Sequence, residues 1–277
     1  MKWLAAVLAT AVLAGAAAGA TGPATGSAAF LTSRQSASGG FAEQGRAADG
    51  PLTAWAALGL VAAGGFPAER VRALEFLRTR TADVSTDADL ALRVVALAAL
   101  GETIDEGVLA RLRRHRPDVL VNATIWTVLA LRAAGEQPPQ ALVRAIIDAQ
   151  AKGGGFPWSR GGAPDSNDTA AAIQALRSAG VGGTPIRRAV TALQAFRSRD
   201  GGYSLTKGRE PDAQSTAWAI QALISAGEMP GKAPFRYLAR LRRDDGSYRY
   251  SLRYGSTPVW VTAQVVPALA GRPFPFR

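Results

Sequence analysis

Cysteine is absent from this 277-residue chain, and histidine occurs once, at His115. The first absence excludes disulfides, a thiol nucleophile and any zinc site built on thiolates. The second leaves no histidine pair for a metal and no partner for His115 at triad spacing, so a solvated helix face among arginines is the expected place for it. Lysine is scarce as well: Lys2, Lys152, Lys207 and Lys232 are the only four, and arginine carries most of the positive charge. Alternating β-branched stretches are missing, which argues against a sheet-built core. Beyond Trp3–Ala17 no long apolar run occurs, so no transmembrane anchor is predicted.

That one run has the marks of a leader. Lys2 supplies a positive start, Trp3–Ala17 an uncharged apolar stretch, and Ala18-Gly19-Ala20 a small-x-small cleavage site. Residues 1–20 therefore read as a signal peptide and residues 21–277 as one mature domain, secreted or otherwise extracytoplasmic. The formal charge of +11 sets 32 basic against 21 acidic residues. Such a surface suits anionic envelope polymers or headgroups. Export away from the cytoplasm argues against nucleic acid.

What the chain does have is a repeat. Glycines that follow apolar helical stretches stand at Gly64, Gly101, Gly135, Gly180, Gly227 and Gly271, and subtraction gives spacings of 37, 34, 45, 47 and 44 residues. Periods in this range mark stacked supersecondary units, none of which can bury its apolar face alone. Six units follow, at about 27–66, 67–104, 105–138, 139–184, 185–231 and 232–277. Each reads as a polar-faced outer helix, a turn, a polar loop and an Ala-rich inner helix; Pro267 is expected to interrupt the last of these. Alignment on the terminal glycines superposes Thr53, Thr124, Thr169 and Thr216, with Trp55, Trp126 and Trp218 two residues later and Ala171 in the fourth unit. Asp49, Asp165 and Asp212 precede the threonines by four. The fold class expected is all-α, a single closed α/α toroid of about six helical hairpins.

The turns carry a family resemblance. Phe30-Leu31-x3-Gln35-x3-Gly39-Gly40-Phe41 resembles the Gln/Trp repeat of squalene–hopene cyclases, with Phe in place of Trp. Tyr237-Leu238-x3-Arg242-x3-Gly246-Ser247-Tyr248 is a second copy, while Gln150-x3-Gly154-Gly155-Phe156 and Arg197-x3-Gly201-Gly202-Tyr203 keep its core. Over nearly the whole mature length the chain is similar to the toroid superfamily of terpene cyclases and protein prenyltransferase β subunits. The chemistry of those families does not carry over. Their Asp-x-Asp-Asp acid motif is approached only by Asp87-Ala88-Asp89-Leu90, which reads instead as a helix start. The Asp/Cys/His zinc site has no cysteine, and squalene-type cyclases use a second helical domain for which this chain is too short. Cobalamin carriers such as intrinsic factor pair the same ring with a β domain, and complement-type thioester domains need a cysteine. Neither feature is present. No Gly-x-Ser-x-Gly elbow or phosphate loop appears, and no cofactor is expected.

Two readings stay open. In one, the ring is non-catalytic and binds an apolar or anionic small molecule, an envelope polymer or a protein. In the other it is a small terpenoid-processing enzyme using loop-face aspartates, a reading that two of Asp49, Asp87, Asp165, Asp168 and Asp212 within about 6 Å of each other in a cavity would favour. The longer connections, running from outer to inner helices, are predicted to share one end of the ring. Candidate ligand-binding residues there are Trp55, Trp126, Trp158, Arg160, Asp165, Tyr203, Lys207, Arg209, Asp212, Trp218, Tyr248 and Tyr250, with Trp260 a further aromatic of interest. The repeated tryptophans suit either the core between helix layers or the wall of a cavity.

Overall fold

The computed structural model describes residues 22–80, 83–117 and 119–276; the expected leader lies outside them. Among the described residues, twelve helices alternate between two concentric layers. The outer helices are α1 (Pro23–Thr32), α3 (Pro67–Thr79), α5 (Glu106–Arg113), α7 (Gln140–Asp148), α9 (Thr184–Gln194) and α11 (Lys232–Leu241). The inner ones are α2 (Gly50–Ala63), α4 (Asp87–Ala99), α6 (Val121–Ala133), α8 (Ser166–Ser178), α10 (Ala213–Ala226) and α12 (Pro258–Leu269). The first outer helix starts slightly before the unit boundary read from the sequence. The only two-stranded sheet among the described residues is a pairing of β1 (Phe156–Pro157) with β2 (Pro164–Asp165) inside one loop.

Composition explains the layering. In α2 eleven of fourteen residues are buried, most of them Ala or Leu, whereas α11 buries four of ten along one stripe. Small side chains bring the inner helices close: a Cβ on Gly59 of α2 would lie 3.2 Å from the Ala263 carbonyl oxygen of α12. This contact joins the last inner helix to the first, as α2 packs on α4, α4 on α6, and so on round a closed ring. The six terminal glycines all take positive φ, from 64° to 91°, the conformation in which glycine ends a helix. Pro267 does not interrupt α12, which runs through it to Leu269.

Two sets of bonds repeat around the ring. On the outside, Gln35 Nε2 donates to its own turn's Gly39 oxygen (2.8 Å) and to the Glu69 oxygen at the start of the next outer helix (2.9 Å). Gln150 does the same to Gly154 and Pro185. At the mouth, the long loop of each unit reaches back to the inner-helix start of the unit before it. The Asn122 amide bonds the Trp158 carbonyl, Ser166 that of Leu205, and Ala213 that of Tyr250. Asp83 accepts from the Gly50 amide, and His115 bonds Asp87. The circle closes where Glu43 of the first unit accepts from the Val259 and Trp260 amides of the last. No described helix is long and apolar enough to cross a membrane.

Candidate functional site

The mouth of the ring is built from one repeated hydrogen bond. Thr53, Thr169 and Thr216 each accept, at 2.9 Å, the backbone N–H of the aromatic that ends their turn: Phe41, Phe156 and Tyr203. Thr262 does the same for Tyr248. The sixth unit is therefore shifted by two residues relative to its terminal glycine, and the residue two beyond its threonine is Gln264 rather than Trp260. One turn nearer the mouth than the threonines, Asp49, Asp165 and Asp212 cap α2, α8 and α10 by accepting from the amides three residues on, at 2.7, 2.8 and 2.7 Å.

Two residues past the threonines, side chains turn to the ring axis. Trp55, Trp126 and Trp218, from alternate inner helices, form a triangle with ring centres 5.5, 6.0 and 5.8 Å apart, every pair edge to face. The intervening positions are filled by smaller or polar residues, Ala171 on α8 and Gln264 on α12, leaving room for three indoles. Phe274, in the segment after α12, packs against all three, and Phe276 stacks beneath it at 4.8 Å. The Phe274 amide bonds the buried Gln174 side chain at 2.8 Å. The centre of the ring is thus solid. The tryptophans are both core and surface, because their upper edges floor a cavity of about 380 Å³ open to solvent.

The walls of that cavity hold an acid pair. Asp168, only 5% exposed, carries a carboxyl that hydrogen-bonds the side chain of Asp165 and accepts from Asn122 Nδ2 at 2.6 Å. Burial first, then the charge and hydrogen bond of Asp165, push the Asp168 carboxyl up to about 8; the Asn122 bond works against the rise. The pair is thereby pushed toward holding a proton beside an aromatic floor. Gln264 Oε1 accepts from both Trp218 Nε1 and Gln214 Nε2 at 2.9 Å, which fixes one indole and one polar wall together.

A second cavity, of about 570 Å³, adjoins the first and shares Asn122 and Trp158 with it. Here His115 departs from the solvated position expected of it. Its side chain is 6% exposed, with Nδ1 2.8 Å from Asp87 Oδ2 and Nε2 3.1 Å from Thr124 Oγ1. Asp87 also accepts from Arg111 at 3.0 Å, and its carboxyl is held below the usual range chiefly by the His115 bond. Asp–His–Thr is the order of a hydrolase triad, but Thr124 is 2% exposed and occupies the repeat position of the other threonines. The Thr124 hydroxyl thus meets the imidazole where the other units' threonines meet a turn N–H. Asp89, by contrast, does what a helix start requires, completing a capping box with Thr86.

Of the residues picked from the sequence, Trp55, Trp126, Trp158, Asp165 and Trp218 converge on the first cavity. Arg160 is exposed on the neighbouring loop, donating its amide to the Val119 carbonyl. Asp212 is buried under its cap, 2% exposed and raised to about 6 by burial, with Ser215 and Tyr250 bonding it. Tyr203 and Tyr248 are the buried turn aromatics and do not line the cavity. Lys207 lines a separate hollow beside Phe196, and Arg209 points outward. Trp260 is half-buried between helices at the closing seam. Asp168 is one of the aspartates singled out at the inner-helix starts, whereas Asn122 and Gln264, neither of which recurs at an equivalent place in several units, carry no signal in the sequence. Among the described residues, no three histidine, aspartate or glutamate side chains gather as a metal would require.

No protein-family model and no curated protein matches the chain. Solved structures match it closely in fold. The type II terpene cyclase MstE from Scytonema superposes with a TM-score of 0.67 at 16% identity, over 90% of this chain and 96% of that one. A protein from Actinoplanes gives 0.66 at 17%, covering 90% and 98%. A glycosidase gives 0.65 at 13%, covering 91% and 97%. The α/α toroid is therefore this chain's fold, shared with proteins of different named activities. Since MstE is matched over nearly its whole length, chain length alone does not separate this protein from type II cyclases.

Proposed function

We propose that the protein is a ligand-binding toroid whose long-loop mouth is the working site. The tryptophan floor receives the apolar part of the ligand, and Asn122, Asp168 and Gln264 orient it. The observation that carries this reading is the floor: three indoles locked edge to face on rigid helices at the bottom of an open cavity of about 380 Å³. A surface so preorganised loses little entropy when it is covered. The test is a titration with dissolved decanol, followed by intrinsic fluorescence. A saturable change, weakened in Trp218→Leu, is expected; emission unaltered up to the solubility limit removes the reading. Export of the mature chain belongs to the same proposal, and N-terminal sequencing of protein from the culture medium should begin at Thr21.

The acid pair favours a second reading, proton-initiated chemistry on an unsaturated apolar substrate. Asp165 keeps Asp168 protonated beforehand, and Asp168 transfers its proton to a carbon–carbon double bond. Asn122 Nδ2 stabilises the carboxylate left behind, the indole faces stabilise the carbocation, and loss of a proton from the cation back to Asp168 closes the cycle. Glycoside hydrolysis fits less well. Its two carboxyls stand roughly 5 to 9.5 Å apart to flank a sugar, whereas Asp165 and Asp168 are in direct hydrogen-bond contact and no other carboxylate lines this cavity. Incubation with geranylgeranyl dihydroxybenzoate, named as the substrate of MstE, separates the two readings. An isomer that forms with the wild type and not with Asp168→Asn establishes catalysis, and unchanged substrate leaves binding alone.

A further inference from the structure

The two cavities at the mouth differ in character and meet along one ridge. The first is floored by indoles. The second is lined by Arg111, Arg114, Arg116 and His115, with Asp87 the one carboxylate among them. Arg111 and His115 are already committed to Asp87, at 3.0 and 2.8 Å. Arg114 and Arg116 are exposed, neither forms an ion pair among the described residues, and both line the hollow. The starts of two thirteen-residue helices also border it, α4 at Asp87 and α6 at Val121, and α6 begins without a side-chain cap. Positive charge and positive helix ends therefore converge on a space of about 570 Å³. On the ridge stands Trp158, 55% exposed although large and apolar, its carbonyl pinned by the Asn122 amide.

From this contiguity we infer that the protein takes an amphiphile whose phosphate headgroup sits between Arg114 and Arg116 and whose apolar chain crosses Trp158 onto the tryptophan floor. The inference rests on the ligand-binding reading above and specifies its ligand. Guanidinium forks match phosphate oxygens two at a time, and an exposed indole covers a methylene chain at small entropic cost. Neither compartment alone requires a ligand with two ends. The shared ridge does.

Three dissolved probes test it below their micellar concentrations: decyl phosphate, decanol and inorganic phosphate. They are titrated calorimetrically into the wild type, Arg114→Gln/Arg116→Gln and Trp158→Ala. Decyl phosphate is expected to bind roughly tenfold more tightly than decanol, the worth of one charge-assisted contact. The double arginine variant should abolish that advantage and leave decanol binding unchanged. Trp158→Ala should weaken both chain-bearing probes and leave inorganic phosphate alone. Because the substituted side chains are exposed, melting temperatures should stay at the wild-type value. Equal affinity for decanol and decyl phosphate, or an arginine variant that keeps the difference, overturns the inference while the apolar floor stands. If decanol fails to bind, the parent reading fails instead, whatever inorganic phosphate does. Binding only to vesicles of anionic phospholipid, with none to dissolved decyl phosphate, would mean a membrane surface and also overturns it.

Discussion

Asp165 and Asp168 stand three residues apart at one helix start and carry different tasks. Asp165 caps α8 and is half-buried, whereas Asp168 faces inward under Asn122 from the neighbouring helix. Folding raises Asp168 from the ordinary 3.8 to about 8, so across that interval the folded chain holds a proton that the unfolded chain has released. Its contribution to stability is fully present below about pH 4 and is lost as the pH climbs through about 8. Asp212, raised from 3.8 to about 6, adds a decline in the lower part of the window. We expect the melting temperature to fall between about pH 6 and pH 8, and Asp168→Asn, which keeps both hydrogen bonds without titrating, to flatten that segment. A level wild-type curve over the interval would refute the assignment. The caps were legible because aspartate before a helix has a local physical cause. Asp168 was legible as a loop-face carboxylate, but its raised proton affinity was not, since its burial and its Asn122 partner come from another unit.

At the scale of the element, the turn explains why its residues recur. Glutamine ties the turn to the next outer helix, and the glycine beside it must lie against that helix's backbone. A Cβ on Gly246, at φ +87°, would come 2.6 Å from the Gly26 oxygen, whereas one on Gly45, at φ +75°, meets nothing within 4 Å. Gly45→Ala should thus cost only the left-handed backbone, about 1 kcal/mol, and Gly246→Ala distinctly more, because the sixth unit must move away from the first. Chemical denaturation compares them; equal losses would show that the close approach is unimportant. Turn, helix ends and caps were all readable from spacing. The register of the sixth unit was not readable from its terminal glycine, because the anchor is the hydrogen bond from Tyr248 to Thr262, two residues closer to that glycine than the threonines of the other units. His115 escaped for a related reason: it contacts Thr124 where the other units bring up a backbone N–H from the turn.

In the whole molecule, closure is the property no single unit possesses. The first loop's Glu43 holds the start of α12, the Gly246 turn lies against α1, and α12 packs on α2. Ending the chain before Lys232 removes α11, α12 and Phe274 together, baring apolar faces on α2 and α10 and the underside of the tryptophans. Size-exclusion chromatography should find that truncated chain aggregated rather than as a smaller monomer. A well-behaved five-unit monomer would mean that the ring is an open stack. Six-fold repetition predicted the ring from the sequence, but not that its centre is filled, because Phe274 follows the terminal glycine of the sixth unit and has no counterpart in the other five.

Those central indoles have an optical consequence. Three chromophores with centres 5.5 to 6.0 Å apart, fixed nearly at right angles, share their excited states instead of absorbing singly. Their coupled near-ultraviolet circular dichroism should be intense for a helical protein, and it depends on helices that belong to the first, third and fifth units. Opening the ring at any seam separates the emitters and collapses the signal, while a ligand settling on the floor tilts one against the others and reshapes it. The protein thus carries its own unlabelled gauge of whether it is closed and whether it is occupied.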